Sequence, residues 1–238
     1  MVRAVLMLAL LAVAVLLLAG PSVRLGLWPF PVGFQLMKYA AYAGAIAAIM
    51  AIVLLLVPRT RRAGAGRLAI AAALGSLVFG LPWWQLQQAR RVPEIHDIST
   101  DLSDPPAFVA VLPLRAGAPN PAKYGGEAVA EQQRRAYPDV QPLMLKLPPA
   151  KAFAAALSSA RGMGWKIVAA DPAQGRIEAT ATTLWFGFKD DVVIRVRAEG
   201  AGARIDVRSL SRVGRSDVGA NASRIRDYLA RLRSRSNA

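Results

Sequence analysis

Two adjacent aspartates, Asp190 and Asp191, lie in a stretch that reads FGFKDDVVIRVR from Phe186 to Arg197. Two carboxylates that share one proton would suggest acid–base catalysis. Neighbouring residues of a strand point to opposite faces of a sheet, so these two cannot share a proton if the stretch is a strand. We therefore expect a solvated ladder of opposite charges across neighbouring strands. Its members would be Asp190, Asp191, Arg195, Arg197, Arg204 and Asp206. Asp190 is also expected to end a turn, where it caps backbone N–H groups or pairs with an arginine of the last loop.

A second candidate for chemistry is the segment HDISTDLSD, which contains the only histidine of the chain. Imidazole and carboxylate groups are metal ligands, and the candidates here are His96, Asp97 and Asp101. The segment lacks the glycine and the bidentate glutamate of a calcium loop. The alternative is an extended segment whose Asp and Ser side chains cap turns before Pro105. No G-x-S-x-G nucleophile motif occurs, and we predict no catalytic residue and no cofactor.

The stretch RSLSRVGRSDVGAN, from Arg208 to Asn221, combines three arginines, three serines and two glycines before a helix. Free backbone N–H groups at a helix start favour an anion, which an arginine can bind through two hydrogen bonds. The candidate anion-binding residues are Arg208, Ser211, Arg212, Arg215 and Ser216. The alternative is an ordinary helix entry, in which Asp217 caps the helix and Arg215 pairs with Asp190 or Asp191.

The first 91 residues contain no Asp or Glu, although they contain 9 of the 30 Lys and Arg residues. They include three uncharged apolar runs of 17, 19 and 17 residues, at 4–20, 39–57 and 68–84. Runs of this length approach the thickness of the hydrocarbon core, and single segments cross it only as helices. We predict a membrane region over 1–91. The first run could be a signal peptide, but Gly20-Pro21 is a poor cleavage context and favours a retained helix.

The short loop between the second and third runs is the most basic one, with Arg59, Arg61, Arg62 and Arg67. Such loops stay in the cytoplasm. Together with Arg3, these four arginines give five cations on the cytoplasmic side, against four on the opposite side: Arg24, Lys38, Arg90 and Arg91. We therefore expect a bacterial inner-membrane protein with a cytoplasmic amino terminus and a periplasmic carboxy-terminal domain. Small residues recur every four positions in both runs and predict close helix packing. They are Ala40, Gly44 and Ala48 in the second helix, and Ala72, Ser76 and Gly80 in the third.

Residues 92–238 have the composition of a folded domain. Pro and Gly make 101–142 a loop region with a short helix at 127–137. Strands are predicted at 143–147, 165–170, 176–183, 186–197 and around 204–208, with helices at 148–162 and 217–233. The fold class is α+β, with an antiparallel sheet covered on one face by two helices and charged residues on its other face.

Three segments carry a family resemblance: EIHDISTDLSDPPAF (94–108), TLWFGFKDDVVIRV (183–196) and IDVRSLSRVGRSDVGANASRIRDYL (205–229). They resemble the signature segments of the domain of unknown function 1499 family, in the same order, over about residues 92–234. The resemblance implies a bacterial envelope or plastid-type module that is often joined to a short membrane region. It implies no reaction, so no catalytic residue is transferred.

The charge of the domain suggests its partners. Residues 92–184 contain nine basic and nine acidic residues, whereas residues 185–238 contain twelve and six. A basic patch near a bilayer favours an anionic lipid headgroup or an envelope protein, and nucleic acid is not expected outside the cytoplasm. One alternative is a carrier of a small apolar ligand, with a cavity lined by Trp165, Trp185, Phe186 and Phe188. Another is a metal-dependent enzyme that uses the His96 segment.

Overall fold

A computed structural model describes residues 1–236. The chain forms two compact units: residues 1–91 together with 184–187, and the remainder from residue 92 onward. Residues 237 and 238 of the predicted domain lie outside the described residues.

The first unit contains three long helices, α1 (Val2–Arg24), α2 (Phe30–Leu56) and α3 (Pro58–Ala89). Each is long and apolar enough to cross a membrane, as predicted. The helices are longer than the apolar runs, because polar and proline residues outside the runs are also helical. α2 and α3 each have a proline in the first turn, where a backbone N–H would have no partner within the helix. Within α3, the backbone leaves the helical conformation at Gly64.

The close packing of α2 against α3 depends on two glycines. A Cβ atom added to Gly75 would lie 2.4 Å from the carbonyl oxygen of Gly44 and 2.8 Å from the backbone nitrogen of Ala48. The small residues predicted in α2 are therefore confirmed. In α3 the buried residues are Leu68, Ala71, Gly75 and Val78. Of the small residues predicted there, Ala72 packs against the buried cluster, whereas the predictions for Ser76 and Gly80 are wrong, because Ser76 is exposed and a Cβ atom at Gly80 would meet no atom within 4 Å.

Residues 184–187 belong to the helical unit although they follow it by almost a hundred positions. The indole of Trp185 lies against Gly20, and its Nε1 donates a hydrogen bond to the carbonyl oxygen of Leu17 at 3.4 Å. The ring of Phe186 lies 5.0 Å from that of Phe34. This tetrapeptide is thus part of the packing of α1 and α2.

The second unit is an antiparallel sheet with three further helices. The sheet order is β1-β6-β5-β4-β3, and β2 pairs with β6 on the same edge as β1. The strands are β1 (Asp97–Ser99), β2 (Leu143–Leu145), β3 (Lys166–Asp171), β4 (Arg176–Thr182), β5 (Lys189–Glu199) and β6 (Gly202–Ser211). The helices are α4 (Glu127–Ala136), α5 (Pro149–Gly162) and α6 (Ala220–Ser236), with a 3₁₀ turn at Pro113–Arg115.

The main hydrophobic core lies between the sheet and helices α5 and α6. The hydroxyl of Tyr228 donates to the carbonyl oxygen of Ala156 at 3.0 Å, and its ring stacks on Trp165 at 5.2 Å. Apolar residues of β4, β5 and β6 fill the same cluster. The α+β class and the two-helix layer are confirmed.

The opposite face of the sheet is not solvated. Glu178, Asp191 and Asp206 on that face have no exposed surface. Residues 101–124, which we call the cover segment, contain no helix or strand other than the 3₁₀ turn and bond to this face. The prediction of a sheet buried on one side only is therefore wrong, because the backbone of an irregular segment supplies the partners that water would otherwise provide.

Candidate functional site

Four members of the expected charge ladder, Arg195, Arg197, Arg204 and Asp206, form a compact cluster under the cover segment and not a solvated row, whereas Asp190 and Asp191 have other partners. The centre of this cluster is Asp206, whose carboxylate accepts from Arg195 at 3.0 Å, from Arg197 at 3.1 Å and from Arg204 at 2.9 Å. Asp101 of the cover segment accepts from Arg204 at 2.9 Å. Burial raises the pKa of Asp101, but backbone N–H groups of the following turn and the nearby arginines outweigh it and hold the pKa below its usual range.

Asp191 is the centre of a second cluster. Its carboxylate accepts from Arg115 at 2.6 Å, from Arg212 at 2.8 Å and from the Thr180 hydroxyl at 2.7 Å. Burial raises the pKa of Asp191, and these hydrogen bonds more than reverse that effect, so its pKa lies below the usual value. The side chain is a fully satisfied structural anion.

Asp190 lies inside β5 and faces α6, where it accepts from Arg224 at 2.6 Å. The expectation that it ends a turn or pairs with the last loop is wrong, because β5 begins one residue earlier, at Lys189. Asp190 and Asp191 therefore contact different partners on opposite faces of the sheet.

Arg208 forms a third buried cluster. It makes two hydrogen bonds with Asp97, at 2.9 and 2.8 Å, and donates to the carbonyl oxygens of Pro106 and Ala122. The guanidinium carbon lies 4.9 Å from the ring centre of Phe108 and 5.3 Å from that of Tyr124. Burial, followed by the charge of Asp97, raises the pKa of Tyr124 to about 12.

Glu178 fills an anion-binding arrangement of the backbone. Its carboxylate accepts from the N–H groups of residues 109–111, at 3.0 to 3.1 Å, and lies 3.0 Å from Arg176 Nε. Successive N–H groups that converge in this way commonly bind a ligand anion. Here the protein supplies the anion, so this geometry fixes the cover segment to β4.

The candidate metal ligands do not converge. His96 Nδ1 lies 3.1 Å from the carbonyl oxygen of Arg215, whereas Asp97 pairs with Arg208 and Asp101 with Arg204. Among residues 1–236, no three His, Cys, Asp or Glu side chains are arranged to hold a metal ion.

Most of the candidate anion-binding residues already have partners within the protein. Arg208 and Arg212 are neutralised as described above, and Ser211 Oγ accepts from Asn221 at 3.0 Å. The Ser216 hydroxyl accepts from the N–H of Val218 at 3.1 Å and donates to the Pro93 carbonyl oxygen at 3.3 Å. Only Arg215 is exposed, with 89% of its side chain accessible, and it pairs with Glu94.

The start of α6 is capped by Asp217, as the alternative interpretation of the stretch from Arg208 to Asn221 predicted. Asp217 accepts from the N–H groups of Gly219 and Asn221, both at 2.8 Å. Burial raises the pKa of Asp217 even though these two bonds oppose the shift. The predicted pairing of Arg215 with Asp190 or Asp191 is wrong, since both aspartates are taken by other arginines.

The ion pairs divide the cations of the second unit into two groups. Twelve of its 21 Lys and Arg residues pair with a carboxylate, and all twelve are arginines. The other nine cations of this unit, five lysines and four arginines, have no carboxylate partner among the described residues. We call the four arginines the arginine patch: Arg161, Arg231, Arg233 and Arg235.

Three members of the arginine patch, Arg161, Arg231 and Arg235, lie where the end of α5 meets the last turns of α6, and Arg233 lies on another side of the last turn of α6. A Cβ atom added to Gly162 would lie 2.5 Å from a guanidinium nitrogen of Arg231, and Arg235 donates to the hydroxyl of Ser158. Arg161, Arg233 and Arg235 are exposed. The excess of basic residues over 185–238 is visible in the sequence, but the unpaired arginines cannot be separated there from the paired ones, because pairing depends on contacts between distant residues.

The second unit also has an open apolar groove of about 560 Å³ beside the first turn of α5. Phe153, Pro172 and Val196 line it. None of the four aromatic residues expected to line a carrier cavity lines this groove, Phe188 included. Trp165 is in the core, and Trp185 and Phe186 belong to the helical unit.

The fold and these clusters define an α+β module that follows three helices able to cross a membrane. The buried charged side chains between its sheet and the cover segment neutralise one another, and we call them the ionic layer. Residues 97–232 match the family model described as protein of unknown function (DUF1499), and the chain belongs to this family. No curated protein matches the chain.

Proposed function

We propose that this is a bacterial inner-membrane protein whose carboxy-terminal module binds anionic phospholipid headgroups through the arginine patch. The observation that carries the proposal is the division of arginines: twelve are neutralised within the module, and three of the four that are not, Arg161, Arg231 and Arg235, lie where the end of α5 meets α6. An arginine without a counter-ion is available for a phosphate, which its planar guanidinium binds with two hydrogen bonds.

A headgroup fits the patch better than a protein partner does. Protein interfaces have an apolar core, with aromatic and other large side chains at the centre. Within residues 1–236, the large exposed apolar side chains include none from α5 or α6. Each Lys or Arg near a strongly anionic bilayer contributes about 1 kcal/mol without needing apolar contact.

The linker also favours a lipid. Only seven residues, 90–96, connect α3 to β1. A segment of that length spans at most about 25 Å. A module on so short a tether encounters headgroups at a high effective concentration, so weak individual contacts suffice.

The proposed orientation places the amino terminus in the cytoplasm and the module in the periplasm. It rests on the basic turn between α2 and α3, since short basic loops remain in the cytoplasm.

A fluorescence experiment on the full-length protein tests headgroup binding. The chain has no cysteine, so Ser234→Cys provides a single site for an environment-sensitive dye beside the arginine patch. We expect the dye to move to a less polar environment in vesicles that contain phosphatidylglycerol, but not in phosphatidylcholine vesicles. High salt should reverse the change, because exposed charges are screened.

The matched variants remove equal charge at different places. Arg231→Gln, Arg233→Gln and Arg235→Gln together should abolish the response to phosphatidylglycerol. Lys123→Gln, Lys146→Gln and Lys189→Gln, which alter unpaired cations elsewhere, should preserve it. A response that is equal in both lipids, or lost equally in both triple variants, would contradict headgroup binding and favour a protein partner.

A further inference from the structure

One end of the helix bundle carries a concentrated positive charge. We call it the five-arginine end, and its members are Arg3, Arg59, Arg61, Arg62 and Arg67. All five residues are exposed.

Packing brings the distant Arg3 to the same end as the other four. A Cβ atom added to Gly64 would lie 2.9 Å from the side chain of Val2. Val5, Ala51 and Leu68, one from each helix, belong to a single buried cluster near this end. The start of α1 and the turn between α2 and α3 are therefore neighbours within the bundle.

The turn that carries these arginines is an ordered structure. The Thr60 hydroxyl contacts the carbonyl oxygens of Leu54 and Val57, at 2.5 and 3.0 Å, which satisfies acceptors at the end of α2. The N–H of Arg61 also donates to Val57 at 3.0 Å. Arg59, Arg61 and Arg62 precede the break at Gly64 and Arg67 follows it, so the charges are held on both sides of a fixed bend.

Nothing within the helical unit neutralises this charge. The sequence has no Asp or Glu before Glu94, and residues 184–187 add none. In the second unit, by contrast, most arginines pair with the protein's own carboxylates. The counter-ions of the five-arginine end must therefore come from outside the unit.

The surroundings of the five arginines indicate the chemistry of that counter-ion. Leu56 is 76% exposed and Ile70 is 53% exposed, and both lie close in sequence to the arginines on helices apolar enough to span a bilayer. A soluble anion would satisfy the arginines alone. A phospholipid satisfies both surfaces, because its phosphate binds guanidinium groups while its acyl chains cover the apolar helix.

We propose that the five-arginine end is a binding site for anionic phospholipid, in which the phosphodiester lies among the arginines of the α2–α3 turn and Arg3. This site is in a different unit from the arginine patch and does not depend on the function proposed for that patch. Either site can be lost while the other remains.

Native mass spectrometry of the full-length protein tests the site. The protein would be released from mixed micelles of a neutral detergent that contain equal amounts of phosphatidylglycerol and phosphatidylcholine. We expect wild-type protein to retain phosphatidylglycerol preferentially. Arg59→Gln, Arg61→Gln and Arg62→Gln together should reduce that preference by about fivefold per arginine.

The control removes three positive charges from residues outside this end: Lys38→Gln, Arg90→Gln and Arg91→Gln. It should retain most of the preference. Equal loss in both triple variants, or no loss in either, would overturn the proposal.

A second variant guards against misfolding of the first. Arg59→Lys, Arg61→Lys and Arg62→Lys together keep the charge of the turn, and should retain preferential binding that weakens as ammonium acetate is raised. Retention that is indifferent to salt would overturn the assignment to charge. Displacement of the lipid by inorganic phosphate alone would show that the acyl chains are not recognised, and would overturn the assignment to a lipid.

Discussion

Asp191 illustrates how the ionic layer contributes to stability. Its carboxylate is fully buried between Arg115, whose side chain is 3% exposed, and Arg212, whose side chain is 14% exposed. Removing one member of a buried ion pair leaves the other charge without compensation, and this usually costs about 3–5 kcal/mol.

We expect Asp191→Asn to destabilise the second unit by about 3–5 kcal/mol, measured by denaturant unfolding of the full-length protein in detergent. Glu131→Gln is the control, since its pair with Arg135 is exposed and should contribute less than about 1 kcal/mol. Equal effects of the two substitutions would show that the Asp191 cluster is not desolvated in solution.

Three aspartates give the second unit a defined dependence on pH. The pKa values of Asp101 and Asp191 are held below 3.8 in the folded state, so the stability that they contribute is present above pH 3.8 and is lost as the pH falls through their folded pKa values. The pKa of Asp217 is raised above 3.8, so its contribution is present below pH 3.8 and is lost as the pH rises through its folded pKa.

We therefore expect the unfolding temperature to fall on acidification below pH 3.8, measured by circular dichroism of the full-length protein. Asp217→Asn should remove the fall in unfolding temperature that Asp217 causes as the pH rises above 3.8. The fall in unfolding temperature below pH 3.8 should remain in this variant. An unfolding temperature that stays constant from neutral pH to about pH 2 would contradict this assignment of the ionised aspartates.

At the scale of elements, the contact between α2 and α3 requires glycine at one position and tolerates a side chain at another. Gly75→Val would force a methyl-bearing carbon against the backbone of Gly44 and Ala48, and should destabilise the bundle by about 1–3 kcal/mol. Gly80→Val is the matched control, because a Cβ atom there meets no atom within 4 Å. Thermal unfolding of both variants in the same detergent measures the loss of stability in each. A larger loss of stability in Gly80→Val would contradict the assignment of Gly75 to the face of α3 that contacts α2.

The regular elements followed from local pattern. The alternation in β4, β5 and β6 identified these strands to within a few residues, because hydrophobic period is a local property. The three apolar runs identified the helices, but α2 and α3 begin nine and ten residues before the runs that predicted them. The cover segment did not follow, because its role depends on Glu178 and Asp191, which are distant in sequence. A strand such as β4, with Arg176, Glu178 and Thr180 on one face, looks solvated until the partners of its charges are known. β1 was missed for the same reason, since its three residues are a strand only through pairing with β6.

At the scale of the whole molecule, the proposed orientation predicts the side of the membrane on which each terminus lies. A phosphatase reporter that is active only outside the cytoplasm, fused after Ala238, should be active, and the same reporter placed after the basic turn at Arg67 should be inactive. Activity of the second fusion and inactivity of the first would invert the orientation.

The assignment of residues 184–187 to the helical unit has a practical consequence for anyone who dissects the chain. The polypeptide passes from one unit to the other three times, so no single cut separates them. A fragment that begins at Val92 would carry Trp185 and Phe186 without Gly20 and Phe34, against which they pack. Two exposed aromatic side chains without their packing partners favour self-association. Size-exclusion chromatography should show oligomers of this fragment. The fragment with Trp185→Ser and Phe186→Ser should be monomeric.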